Sequence, residues 1–215
     1  MCAKRLTIEE EKERMMSMYA LEREKNLLGY KYVAGVDEAG RGPLAGPVYA
    51  AAVILPQDLF IPSLNDSKKL SEKKREELFE IITKEAIAYS IASVSEKRID
   101  EVNILNATFE AMNKAVNSLS ISPDYVLIDG NRIQGISVPH ETVVKGDSKS
   151  ASIAAASILA KVARDRYITE ISKKYPNYGF EKHKGYGTSA HNSAILEYGP
   201  CEIHRKTFLR KLLGK

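Results

Sequence analysis

Two adjacent acids, Asp37 and Glu38, follow an apolar run over residues 32–36 and precede the glycine-rich stretch Gly40-Arg41-Gly42-Pro43-Leu44-Ala45-Gly46. A third acid, Asp129, repeats that placement, directly after Tyr125-Val126-Leu127-Ile128 and before Gly130. A fourth, Asp147, lies in Lys145-Gly146-Asp147-Ser148-Lys149-Ser150. Taken singly, each has a plain structural explanation: a strand running into a turn, an Asp-Gly hairpin, a helix cap. Gathered at one sheet edge they would repel, each close pair by about 1 kcal/mol in water and several-fold more in a partly dry cleft. Cations would neutralise such a cluster. Oxygen-only ligands select hard ions, Mg²⁺ or Mn²⁺. Two of them about 4 Å apart activate water and stabilise the leaving oxygen of an in-line displacement at phosphorus.

Rival chemistries lack their residues. The glycine stretch has one residue too many for a dinucleotide fingerprint and no Gly-Lys-Ser/Thr for a nucleoside triphosphate. His140, His183, His191 and His204 show no metalloprotease spacing, and no Gly-x-Ser-x-Gly elbow occurs. Glycines flanking Arg41 instead allow a backbone to approach a ligand closely, with a cation beside it. Cys2 and Cys201 can build neither a disulfide framework nor a four-cysteine zinc site, and such sparse usage suits a reducing cytoplasm. Residues 1–24 are too charged for a signal peptide, and residues 45–56 are too short and proline-broken to span a membrane. A cytoplasmic protein without a membrane partner is expected.

Several elements must position the acids. Thr7 with Glu10 is a capping-box pattern opening a charged helix that Gly29 would end, an appendage over residues 1–30. Strands are expected over residues 32–36, 48–55, 87–94, 125–128 and, more weakly, 142–145. Helices are expected over residues 72–85, capped by Ser71, over 106–119, and over 148–173, whose first half is almost uncharged. Three early strands followed by alternating helix and strand describe an α/β sheet with helices on both faces. At 215 residues, 44% apolar and 28% charged, the chain suits one large domain, here residues 31–215 ending in a helical segment, beside the helical appendage. The net charge of +4 permits a polyanionic partner without demanding one.

The stretch from Gly35-Val36-Asp37-Glu38 to Gly46-Pro47 resembles the signature of bacterial ribonuclease HII, a type 2 ribonuclease H. The resemblance continues through Asn65-Asp66-Ser67-Lys68, Leu127-Ile128-Asp129-Gly130, residues 144–150, His183-Lys184-Gly185-Tyr186-Gly187-Thr188 and His204-Arg205-Lys206-Thr207-Phe208. It implies a ribonuclease H-like fold: a five-stranded mixed sheet, three strands antiparallel and then two parallel, flanked by helices. It also implies that Asp37, Glu38, Asp129 and Asp147 hold two divalent ions, Mg²⁺ or Mn²⁺. The implied substrates are RNA–DNA hybrids and ribonucleotides embedded in duplex DNA, cut on the 5′ side to leave 3′-hydroxyl and 5′-phosphate ends, as ribonucleotide removal in DNA repair requires. By the same resemblance Gly40, Arg41 and Gly42 would sense the 2′-hydroxyl, the group that distinguishes RNA from DNA. Tyr186 would stack on the sugar of the following deoxynucleotide. Lys145, Lys149, Lys68 and Lys184 are candidates for phosphate contacts. The related ribonuclease HIII would not be expected to carry Arg between those glycines and usually bears an extra N-terminal domain. A monomer is expected. A DNA-only nuclease on the same scaffold, or a binding module whose acids are structural, are the competing readings.

Overall fold

The computed structural model describes residues 7–214. Five strands form one sheet: β1 (Val33–Ala39), β2 (Val48–Ile54), β3 (Ala88–Val94), β4 (Tyr125–Asp129) and β5 (His140–Val143). Their spatial order is β3-β2-β1-β4-β5. β1, β2 and β3 pair antiparallel, whereas β4 joins β1, and β5 joins β4, in parallel. The helices are α1 (Ile8–Met18), α2 (Ala20–Leu27), α3 (Glu72–Glu85), α4 (Glu96–Asn117), α5 (Ala151–Ser172), α6 (Phe180–His183), α7 (Ser189–Tyr198) and α8 (Lys206–Leu209). This is the mixed sheet with flanking helices that the resemblance implies.

Alternation along β2 assigns the two faces. Ala51 and Val53 join α5, α3 and α1 in one core, while Ala50, Ala52 and Ile54 join α4 in the other. Residues spaced by two share a face, so Gly35, Asp37 and Ala39 of β1 look toward α5. There α5 crosses so closely that a Cβ on Gly35 would lie 2.1 Å from the Ser152 carbonyl carbon. Only glycine lets the uncharged, alanine-rich start of α5 lie against the strand that carries the acids.

Several expectations need correcting. β1 extends to Ala39, so Asp37 and Glu38 are strand residues rather than the start of a loop. The helix expected over residues 106–119 begins at Glu96 and breaks at Asn103, whose φ of 68° interrupts the helical path. The N-terminal helix is two helices meeting at Tyr19, with the Thr7–Glu10 capping box in place. Residues 1–6 of the expected extension lie outside the described residues. The pair is more than an overlay, because Met15, Met18 and Tyr19 are core residues. Asp129-Gly130 opens no hairpin, and α5 is capped by the Ser150 hydroxyl rather than by Asp147.

Candidate active site

The parallel pairing of β1 with β4 sets Val36 beside Ile128, so the next residues along, Asp37 and Asp129, emerge side by side at the carboxyl edge of the sheet. Asp37 Oδ1 accepts the Glu38 N–H at 2.7 Å, and Asp129 Oδ1 accepts the Gly146 N–H at 2.6 Å. The second bond ties β4 to the 3₁₀ turn Gly146–Ser148, which carries Asp147. The chain enters this turn through Lys145, exposed and left-handed at φ 57°.

Asp37, Glu38 and Asp129 line one cavity of about 190 Å³. Gly40, Arg41, Gly42 and Tyr186 form its rim on the glycine-loop side. Asp147 is buried just outside it, 3.8 Å from Lys68 Nζ, and Lys68 does line the cavity. Larger hollows lie beside Pro200 (about 510 Å³) and Asn103 (about 630 Å³), but neither brings together acids from separate strands.

The acids oppose one another electrostatically. Burial pushes the Asp37 carboxyl well above the ordinary carboxylate range, and the charges of Glu38 and Asp129 add to the shift. Glu38 is raised by burial, opposed by Arg41 at 3.5 Å. Asp147 is raised by burial, then by Asp66 and Asp129, with Lys68 opposing. For Lys68, burial works against the charge, but Asp37, Asp147, Asp66 and Asp129 outweigh it and the shift is upward. Arg41 and Lys68 thus oppose the upward shifts of these carboxylates without cancelling them. Among the described residues, no three potential ligands are drawn tightly enough to enclose an ion as the side chains stand. The fit rests instead on the donor set: carboxylate oxygens around a cavity, with Asp37, Glu38 and Asp147 raised in pKa first by burial and then by neighbouring carboxylates, where a hard cation would bring the missing charge.

The phosphate candidates separate. Lys68, Lys145 and Lys149 are exposed near the acids, whereas Lys184 turns away and donates from Nζ to Thr169 Oγ1 at 2.7 Å. Tyr186 is 45% exposed, and its ring lies 3.5 Å from where a Cβ on Gly42 would sit. A chain of imidazoles holds its backbone. The Cys201 N–H donates to His204 Nδ1 at 2.9 Å, so His204 carries its proton on Nε2, which faces His191 Nε2 at 3.1 Å. His191 therefore carries its proton on Nδ1 and donates it to the Tyr186 carbonyl at 2.9 Å. Burial, reinforced by His191, pushes His204 down to about 4, and burial also lowers His191.

Ser157 and Lys161 of α5 also line the cavity, and neither was singled out from the sequence. Nor were Arg164 and Arg205, which are buried behind the glycine loop. A sequence shows that a residue is cationic but not that it is buried; the only signal for Arg205 was its place in the last block of the resemblance.

The family model for Ribonuclease HII matches residues 34–211. The ribonuclease HII of Caldicellulosiruptor saccharolyticus is 61% identical over 194 residues, covering 89% of this chain and 95% of that protein. Among solved structures, the ribonuclease H2 of Pyrococcus horikoshii OT3 is 30% identical with a TM-score of 0.69, covering 85% of this chain and 97% of its own. Bst ribonuclease HIII, solved in complex with Mn²⁺, shares the fold at 18% identity and a TM-score of 0.62, covering 85% of this chain and 69% of its own. With the match running from the strand that bears the first two acids to the C-terminal helix, the chain belongs to the ribonuclease HII family and is a ribonuclease H, an endonuclease.

Proposed function

We propose that this ribonuclease H hydrolyses the RNA strand of RNA–DNA hybrids and also cuts on the 5′ side of ribonucleotides embedded in duplex DNA. The products carry 3′-hydroxyl and 5′-phosphate ends, which suits ribonucleotide removal and DNA repair in the cytoplasm. The observation that carries the reading is the convergence of Asp37, Glu38 and Asp129 with Arg41, the glycine loop and Tyr186 around one cleft. Asp37, Glu38, Asp129 and Asp147 would hold two divalent ions, Mg²⁺ or Mn²⁺. Such ions, when bound, supply water activation and stabilisation of the departing 3′ oxygen.

The chain's own groups do the rest. Asp37 and Asp129 each commit one oxygen to a backbone N–H, which holds the other in a defined direction. Arg41 and Lys68, with side chains 49% and 77% exposed, remain free to swing from the acids to substrate phosphates. The Arg41 and Gly42 backbone meets the 2′-hydroxyl side of the ribonucleotide. Tyr186 packs on the next sugar, where an added hydroxyl would crowd its ring. Lys145 and Lys149, on the far side of the acids, contact the backbone beyond the cut.

Matched duplexes with zero, one or many ribonucleotides, incubated with Mg²⁺, with Mn²⁺ or with chelator, test this reading. Metal-dependent cutting 5′ of the single ribonucleotide, with the all-DNA duplex intact, is the expected product map. Equal cutting of the all-DNA duplex would favour a DNA nuclease, and no scission with either metal would favour a binding module.

A further inference from the structure

The least expected groups in the interior are two arginines. Arg164 of α5 and Arg205, just before α8, are both fully buried. Among the described residues, their guanidinium nitrogens hydrogen-bond to backbone carbonyls rather than to any carboxylate. Arg205 grips the glycine loop at three points: Nη2 to the Gly40 carbonyl at 2.6 Å, Nη1 to Arg41 at 2.9 Å and Nε to Gly46 at 2.8 Å. Arg164 donates to the carbonyls of Ala45 at 3.2 Å, Pro47 at 3.3 Å and Lys184 at 3.0 Å. Burying a cation is costly unless charge-assisted hydrogen bonds offset it. Here all six of those bonds converge on two loops at the rim of the cleft.

The direction of the grip matters. In a planar trans peptide the N–H points opposite to the C=O. With the Gly40 and Arg41 carbonyls turned onto Arg205, the N–H groups of Arg41 and Gly42 face away from it. Among the described residues neither N–H has an acceptor, and both residues line the cleft. Successive outward N–H groups form a concavity suited to an oxygen ligand. Arg164 occupies the space that glycine leaves at position 40, where a Cβ would stand 2.0 Å from its Nε. Through the Lys184 carbonyl it also holds the segment two residues before Tyr186.

We propose that Arg164 and Arg205 are positioning residues for substrate selection. They turn the Arg41 and Gly42 amides toward the ribonucleotide and set the spacing between that loop and Tyr186, without touching the substrate themselves. The inference rests on the reading of the glycine loop and Tyr186 given above.

Arg205→Lys keeps a cation but replaces a planar three-point fork with a single ammonium. The expected result is a fall of about 10- to 100-fold in kcat/KM on a duplex with one ribonucleotide. A continuous hybrid should lose less, and cutting at the single ribonucleotide should become less exact in position. The rise in Tm on adding Mg²⁺ should stay as in the wild type, because the acids sit on other elements. A purely structural role would scale both substrates and the metal response together. A folded Arg205→Lys protein with wild-type substrate ratio and cut position overturns the proposal. Should that variant not fold, the wild-type protein decides by NMR in chelator. Slow exchange at Arg205 Nε–H is expected, with fast exchange at the Arg41 and Gly42 amides and shifts of both on adding the one-ribonucleotide duplex. Protected amides in the free protein, or amides unmoved by the duplex, overturn it. A wild type that cuts all-DNA duplex equally removes the functional reading instead, whereas selectivity retained in the variant removes only the positioning role.

Discussion

Asp37 is a carboxylate held where charge is costly, and that gives the metal-free protein a definite pH behaviour. Its folded-state pKa is raised, first by burial and then by Glu38 and Asp129. The folded chain therefore holds the proton more tightly than the unfolded one. The associated stability is complete below the ordinary carboxylate pKa and is lost as pH rises through the raised value. At neutral pH without metal, Asp37→Asn should accordingly raise Tm, by about 2–4 °C for each kcal/mol of relieved repulsion. Calorimetry should show Mg²⁺ raising the wild-type Tm, with a smaller rise in this variant. Asp129→Asn should leave the fold nearly intact while cleavage in a gel assay drops to background. Retained near-wild-type turnover in that variant would count against its assigned role.

At the level of elements, the segment carrying Asp147 is tied at both ends by α2. Glu22 Oε1 accepts from Ser150 Oγ at 2.6 Å and from the Ser152 N–H at 2.9 Å, at the start of α5. One helical turn later Lys25 Nζ pairs with Glu141 of β5 at 2.7 Å and lies 5.1 Å from the centre of the Tyr125 ring. The N-terminal helices thus brace the strand-turn-helix unit from β5 to α5 as well as filling core. Glu22→Ala leaves the proton of a buried hydroxyl and a buried amide without an acceptor and should cost about 1–3 kcal/mol in urea unfolding. Glu22→Gln retains an accepting oxygen and should cost distinctly less; equal losses would show that the hydrogen bonds are not what matters. Gly35→Ala drives a methyl into the α5 backbone. It should cost about 3 kcal/mol or more, the upper end of ordinary overpacking, because backbone cannot step aside as a side chain can.

For the molecule as a whole, two opposed titrations bound the stable range. His204 is neutral in the fold, pushed down to about 4, so the unfolded chain takes up a proton first as pH falls. Its contribution is intact above about 6.5, the ordinary histidine value, and is lost on the way down to about 4. The raised acids act in reverse and penalise the metal-free protein as pH climbs. A Tm profile from pH 4 to 8 should therefore be domed in chelator, and Mg²⁺ should lift mainly its neutral side. An unchanged acidic limb and a lifted neutral limb are the expected pair; a uniform lift would place the metal effect elsewhere. Lys145 and Lys149 are exposed after β5, at one end of the strand order, and Arg41 is exposed after the central β1. If Lys145 binds a phosphate, Lys145→Ala should lower the salt slope of hybrid binding by about one unit.

The sequence on its own determined the chemical inventory and most of the elements. Apolar runs, the Thr7–Glu10 box and the Ser71 cap act through neighbours a few residues away, so they read correctly from the local string. The acids were legible because each ends or follows a strand-like run. That Asp37 and Asp129 stand side by side follows from parallel pairing between strands some ninety positions apart, which no local pattern encodes. Tertiary structure alone decided that Asp147 sits just behind the cleft, that Lys184 turns away, and that Glu22 reaches Ser150. It alone turned two arginines inward onto carbonyls, one of them 165 positions away. The physical reason is common to all of these. Residue type specifies what a side chain can donate, accept or repel, but burial and partner depend on where distant backbone passes, and that is settled only when the layers pack.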